Sequence, residues 1–408
     1  MKHVADDVAP LATIAFPRFN HPDGKALIPM TFGNRSRRQM RLTIFAISAM
    51  LTGGMAAMAP AQERKDIIPP KTPLILKEQG SFMVGGEVIE QTPAQLSSIF
   101  GRPTASGGKV TINQMYVQYM VPARTTGTPV VMMHGATLSG KTYETTPDGR
   151  MGWNEYFVRH GHSVYVPDQV SRARSGFDVT KYNDVRAGLL PPSALPNVFR
   201  QSDEVNWTTF RFGPKAGTPY PDEQFPTDAA TMAQMSKQAI PDLNAVLPNP
   251  NPTYRAMADL AIAAQGAVLM GHSESGAFPI QAALTDMTGI RGLILVEPGR
   301  CMGFGTTLTD AEVAKLAKVP ILAVFGDHLD TPTGMLGFSW QDAFDDCEKF
   351  IARINAVGGR AEMLYPPAKG IHGNSHMIMM DKNSLQIADF ILDWMDRVVD
   401  AKALGKRR

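Results

Sequence analysis

The chain has 408 residues and is 44% hydrophobic, enough for one large α/β domain or two smaller ones. Forty basic against 38 acidic residues leave a net charge of +2, which gives no electrostatic case for a nucleic-acid partner. Only two cysteines occur, Cys301 and Cys347. They could pair, but they form no metal-spaced cluster, and neither H-E-x-x-H nor C-x-x-C is present, so no metal or other cofactor is expected.

The N-terminus reads as an address. A basic block, Arg35-Ser36-Arg37-Arg38-Gln39-Met40-Arg41, precedes an uncharged apolar run over 42–58 and the A-x-A pattern Ala59-Pro60-Ala61. That is the order of an export signal. The run is marginal for a membrane span and rich in Gly and Ala, so cleavage is expected rather than a retained anchor. Ser36-Arg37-Arg38 hints at the twin-arginine route, although Met40 and Arg41 suit it poorly. Residues 1–34 are an extended leader, or Met40 is the start. Residues 1–61 are set aside, leaving 62–408 as a single domain.

Residues 62–80 are polar, contain prolines and are expected along the surface. Residues 81–91 and 109–121 read as two strands; Val110, Ile112, Met115, Tyr116, Val117 and Tyr119 favour β structure in the second. A buried strand over 128–133 runs into His134-Gly135-Ala136. A helix over 153–160 stops at Gly161, and a strand over 163–167 ends at Asp168. Residues 171–255 break the rhythm with prolines from Pro191 to Pro252 and with Trp207, Phe210, Phe212, Tyr220 and Phe225. So long an insertion suggests a cap over a site, with one helix near 228–238.

Alternation then resumes. A helix over 254–264 leads into the apolar strand 267–270, which ends at Gly271-His272-Ser273; the helix that follows tolerates Pro279 only near its start. A strand over 292–296 ends at Glu297-Pro298-Gly299. Thr309-Asp310-Ala311-Glu312 is a capping box opening a short helix. A strand over 320–325 ends at Gly326-Asp327-His328. The amphipathic helix 339–357 carries Phe344, Cys347, Ile351 and Ile354 as its stripe. The last strand spans 360–365, and the last helix, 384–399, turns Ala388, Ile391, Leu392 and Met395 inward. Buried strands alternating with helices indicate a mainly parallel α/β sheet covered on both faces, with ligands beyond the carboxyl ends of its strands.

The strand ends collect a hydrolytic set. Gly271-His272-Ser273-Glu274-Ser275-Gly276 sits between strand and helix like a G-x-S-x-G nucleophile elbow, its last Gly shifted by one. A serine needs a base, and the base needs an acid to orient it. The order Ser, acid, His is that of an α/β-hydrolase. The loop after the last strand offers His372 and His376. The acid is Glu297, Asp327 or Asp330, and the residues alone leave this open. Oxyanion donors in such a fold are backbone N–H groups, here those of Ala136 and Glu274.

The runs HGATLSGKTYETTPDGRMGWNEYF, TTFRFGP, GHSESG, LVEPG, VFGDH and HGNSHMIMMDKNSLQIADFILDW resemble the Alcaligenes-type secreted bacterial esterases across most of residues 80–400. The resemblance implies an α/β-hydrolase fold with an inserted cap and a Ser–His–Glu triad. It puts the nucleophile at Ser273, the acid at Glu297, the base at His376 and the oxyanion donors at Ala136 and Glu274. It also implies export to the periplasm or beyond, a homodimer, and a small-molecule ester as substrate, with bulky aromatic esters such as sulfonylurea-type methyl esters conceivable. Three departures stand out. Ala136-Thr137 replaces adjacent cysteines, Glu274 replaces a typical Gln beside the oxyanion, and residues 328–340 are altered. The expected activity is ester hydrolysis through an acyl-serine. The rivals are amide hydrolysis or acyl transfer on the same triad, and a hydrolase-fold binding protein without activity.

Overall fold

The computed structural model describes residues 63–99, 102–103, 105–243, 247–302 and 307–401; the expected export segment, 1–61, lies outside them. β1 (Leu76–Gln91) and β2 (Gly108–Pro122) form a long antiparallel hairpin. β3 (Val130–Met133), β4 (Val164–Pro167), β5 (Ala267–His272), β6 (Ile290–Val296), β7 (Ile321–Val324) and β8 (Ala361–Leu364) follow. They make one eight-stranded sheet in the order β1-β2-β4-β3-β5-β6-β7-β8. β2 joins β4 antiparallel, and every pairing beyond it is parallel. This is the α/β-hydrolase fold. β1 starts at Leu76, five residues before its expected onset, inside the stretch read as surface chain.

The sheet has a core on each face because strand side chains alternate. Val131, Met133, Leu269, Leu293 and Leu295 face one way. They meet α5 (Pro252–Ala263), α6 (Phe278–Thr285), α7 (Asp310–Leu316) and α8 (Trp340–Ala356). Val130, Met132, Val268, Met270, Ile294 and Val296 face the other way, towards α1 (Trp153–Arg159) and α9 (Ser384–Trp394). Continuous apolar runs at 130–133, 267–270 and 293–296 are the mark of strands buried on both sides. Thr309 caps α7 through the expected reciprocal box with Glu312. Pro279 falls in the first turn of α6, where its missing N–H costs nothing.

Three expectations are corrected. The insertion at 171–255 holds α2 (Thr180–Arg186), α3 (Asp203–Thr209) and α4 (Ala229–Ser236), rather than one helix. α4 is the expected one, with the Asp228 carboxylate accepting from the N–H groups of Ala230 and Thr231. α2 and α3 are seven residues each, too short for a 3.6-residue period to stand out between prolines. In α8 the fully buried stripe is Trp340, Ala343, Cys347, Phe350 and Ile354; Phe344 and Ile351 only flank it. The last helix ends at Trp394 and widens into a π-helical turn over Met395–Asp400. Cys301 and Cys347 are joined in a disulfide, which ties the loop after β6 to α8.

Candidate active site

Ser273 stands at the carboxyl end of β5 with φ 59°, a left-handed backbone that strains a residue bearing a Cβ. The turn closes because its neighbours are small. A Cβ on Gly276 would come within 2.4 Å of Pro298 Cα, so the glycine displaced by one position still lets this turn approach the loop after β6. Ser275, in the place of the usual glycine, donates its hydroxyl to the Met133 carbonyl (3.0 Å) and accepts from the His272 N–H (3.0 Å). It thereby staples the elbow to β3.

His376 lies on the loop after β8, with its Nε2 2.8 Å from Ser273 Oγ and its Nδ1 3.1 Å from Glu297 Oε2. Both His376 and Glu297 are buried, whereas Ser273 is partly accessible. The imidazole packs against Trp340 (4.1 Å between ring centroids), His272 (4.7 Å) and Phe210 (5.6 Å). Its main-chain N–H donates to the Phe210 carbonyl (2.9 Å). Behind it, Asp381 accepts from Ser375 Oγ (2.6 Å), Ser375 N–H (2.9 Å) and Asn374 Nδ2 (2.9 Å), which fixes the loop.

Glu297 ends β6 with φ 49°. Its Oε1 accepts from Arg211 Nη2 (2.7 Å) and from the Gly326 N–H. Burial alone would push its carboxyl up. The Arg211 charge and the hydrogen bonds from His376 and Arg211 outweigh that and hold it down at about 2. Burial also lowers His376, against the pull of Glu297, so the ring is a neutral base at pH 7. With Glu297 ionised, Nδ1 carries the proton and Nε2 accepts from the serine hydroxyl. His272, buried beside it, is lowered to about 3 by burial and by His376.

Asp327 and the other histidine form a separate pair. Asp327 Oδ2 meets His372 Nδ1 at 3.0 Å and the Gly373 N–H at 3.1 Å, and the His372 side chain is 56% exposed. Asp330 is exposed. Neither aspartate is paired with His376 among the described contacts.

The HGA turn lies against the elbow: a Cβ on Gly135 would sit 2.8 Å from Ser273 Cβ and 3.0 Å from His272 Nδ1. This brings Ala136 and Glu274, the two expected main-chain donors, to the same corner. A buried polar cluster that the sequence did not announce supports the turn. Gln169 donates its main-chain N–H to His134 Nε2 (3.1 Å), so Nδ1 is the protonated nitrogen and faces the Gly135 carbonyl (3.0 Å). Arg172 donates to the carbonyls of Gly135 (3.3 Å) and Leu138 (3.4 Å) and ion-pairs with Asp242, which accepts from the Thr137 N–H (3.1 Å). The Glu274 carboxylate is drawn to Gln169 Nε2 (3.1 Å) and Arg172 Nη2 (3.4 Å). The extra charge beside the oxyanion corner thus shares, with Asp242, a single buried guanidinium.

A narrow cavity in the cap is bounded by Thr137, Leu138, Phe210, Phe212 and Met235; Ser273, His376 and Glu297 are not among the residues that line it. It shares Asp203, Met232 and Ser236 with a wider cavity of about 620 Å³ that reaches Trp207, Arg200 and Lys237. Among the described residues, two His/Asp groups could hold a metal ion, His162–Asp396–Asp400 and Asp222–Asp327–His328; neither includes Ser273, His376 or Glu297.

No protein-family model matches the chain. Among solved structures, the chain is similar to a bacterial esterase, at 42% identity and a TM-score of 0.74, with 81% of this chain and 100% of that one covered. Among curated proteins it is similar to a probable secreted lipase of Fungal sp. (strain ATCC 74256), at 25% identity over 344 residues, which is 71% of this chain and 88% of that one.

Proposed function

The chain belongs to a bacterial esterase family of the α/β-hydrolase type and is a hydrolase of carboxylic esters; from that premise we propose that it works through an acyl-Ser273 intermediate. The observation that carries this is the unbroken run of contacts from Ser273 Oγ through the His376 ring to Glu297. As Oγ attacks the ester carbonyl carbon, its proton passes to His376 Nε2. The imidazolium is stabilised by Glu297, and the oxyanion is met by the N–H groups of Ala136 and Glu274. Collapse breaks the bond to the alcohol oxygen, which leaves with the proton from Nε2. Water then attacks the acyl carbon, gives its proton to Nε2, and the acid leaves as Ser273 regains its hydrogen. Ser273→Ala protein with native circular dichroism and full ester turnover would refute the assignment.

Residues 62–408 act as one hydrolase domain with its cap at about 171–255. Bulky or aromatic esters, a sulfonylurea-type methyl ester among them, are proposed as substrates on the resemblance alone. An ester panel varying acyl and alcohol size, with an added alcohol acceptor to detect acyl transfer, tests this. Export to the periplasm or beyond is supported by the disulfide, which persists in oxidising compartments, and by the leader. No helix among the described residues is long and apolar enough to cross a membrane. N-terminal sequencing of the exported protein, expected to begin at Gln62, checks the route. A homodimer is the expected assembly; β1 ends the sheet with Met83 and Val88 exposed, and sedimentation decides it.

A further inference from the structure

The motif TTFRFGP lies in the cap, far from the three triad residues in sequence, yet its centre touches two of them. Arg211 is wholly buried with φ 59°. Its Nη2 meets Glu297 Oε1 at 2.7 Å, its Nε donates to the Asp327 carbonyl at 2.7 Å, and the guanidinium lies 5.2 Å from the Trp340 ring centroid. The preceding residue, Phe210, accepts the main-chain N–H of His376 and stacks on its ring. A buried cation is costly unless paired, so an arginine held here on a strained backbone needs a reason beyond packing.

We propose that Arg211 is a positioning residue of the triad: it fixes the charge and the facing oxygen of Glu297, and so keeps His376 free of a proton at the working pH. This rests on the triad reading above. With Arg211 in place, one positive and one negative charge already balance, and His376 gains little by taking a third. Without it, Glu297 is a buried carboxylate with no cation, and the Glu297–His376 pair binds a proton from solvent, whichever of the two holds it. A base already protonated cannot accept from Ser273.

The other ionisable neighbours cannot replace this charge. His272 is a buried neutral ring, and Asp381 and Glu223 are acids whose carboxyls burial raises. Asp327 turns its carboxylate to His372, and Tyr365 is a phenol raised by burial. Arg211 is therefore the cation in contact with Glu297 among the described residues. It also makes the triad depend on the cap: the residue that sets the charge of the acid belongs to the inserted segment, not to the sheet.

The test is the pH profile of kcat/KM for Arg211→Met, Arg211→Lys, Ser273→Ala and the unaltered protein. The acid limb reports the pKa of the free base. The inference expects the limb of Arg211→Met to move up by about one pH unit or more, so that activity about tenfold down on the limb returns at higher pH. Arg211→Lys keeps the charge without the fork and is expected to shift it less. A purely structural role would lower kcat/KM at every pH and leave the limb in place, and that result overturns the inference. If Arg211→Met does not fold, Arg211→Gln, which also removes the charge but keeps a donor, is read by the same criterion. Should Ser273→Ala retain full turnover, the triad reading fails instead, so the two failures are told apart.

Discussion

Replacing Glu297 by glutamine is isosteric, yet its consequence follows from which neighbours donate. Oε1 faces two donors, Arg211 Nη2 and the Gly326 N–H, neither of which can accept. The amide must therefore keep its oxygen there, and its NH2 falls where Oε2 now meets His376 Nδ1. An NH2 donates, so Nδ1 must accept, and the ring proton moves to Nε2. Nε2 then faces Ser273 Oγ as a donor and cannot take the hydroxyl proton. In a serine triad the equivalent tautomer error costs on the order of 10⁴ in kcat, about 5 kcal/mol of transition-state stabilisation. The assay is p-nitrophenyl ester turnover, with fluorophosphonate labelling of Ser273 as an independent readout; both should fall together while the fold is kept. Glu297→Gln activity within tenfold of the unaltered protein, with the large loss appearing in Asp327→Asn, would refute the reasoning and move the acid to the neighbouring turn.

His372→Ala should leave kcat/KM within about threefold, because its exposed ring touches only the Asp327 side and not the triad; a loss of 10³ would make it the base. Glu223 is buried, its carboxyl raised to about 9 by burial and by Asp381, against an ordinary value of 4.5. Between those values the folded protein keeps a proton that the unfolded chain releases, so stability falls as pH rises through that window. Glu223→Gln should therefore gain stability over the unaltered protein increasingly from pH 4.5 to pH 9, read as melting temperatures; a constant difference contradicts it. Removing the disulfide as the Cys301→Ser/Cys347→Ser pair frees a loop with a sequence separation of 46 residues. Loop-closure entropy sets the loss at about 4 kcal/mol, measured by denaturant unfolding; no change would mean that the unfolded chain gains no freedom.

The sheet was legible because parallel strands buried on both faces leave unmistakable apolar runs, and their ends named the site. The elbow was legible as strand, glycine, serine and small residues. The residues alone left the acid undecided, since Glu297, Asp327 and Asp330 all follow a strand; resemblance pointed to Glu297, and the contact between its carboxylate and His376 is what separates them in space. Arg211, Arg172, Asp242 and Gln169 were not legible. Each acts on a partner far away in the chain, from an irregular segment with no period to betray burial, and a lone arginine between prolines reads as surface. TTFRFGP was visible as a motif, but its role depends on where the cap folds back. The cap helices were mostly missed because seven residues give barely two turns of pattern.

The most direct measurement is of the intermediate itself. Protein mixed with a slowly deacylated ester is quenched in acid within the first turnovers, digested and analysed by peptide mass spectrometry. The account predicts one acyl mass on the peptide containing Ser273, absent from Ser273→Ala protein and formed more slowly in Glu297→Gln. An acyl group on a different residue, or steady turnover by Ser273→Ala protein with no acyl adduct at all, would contradict it.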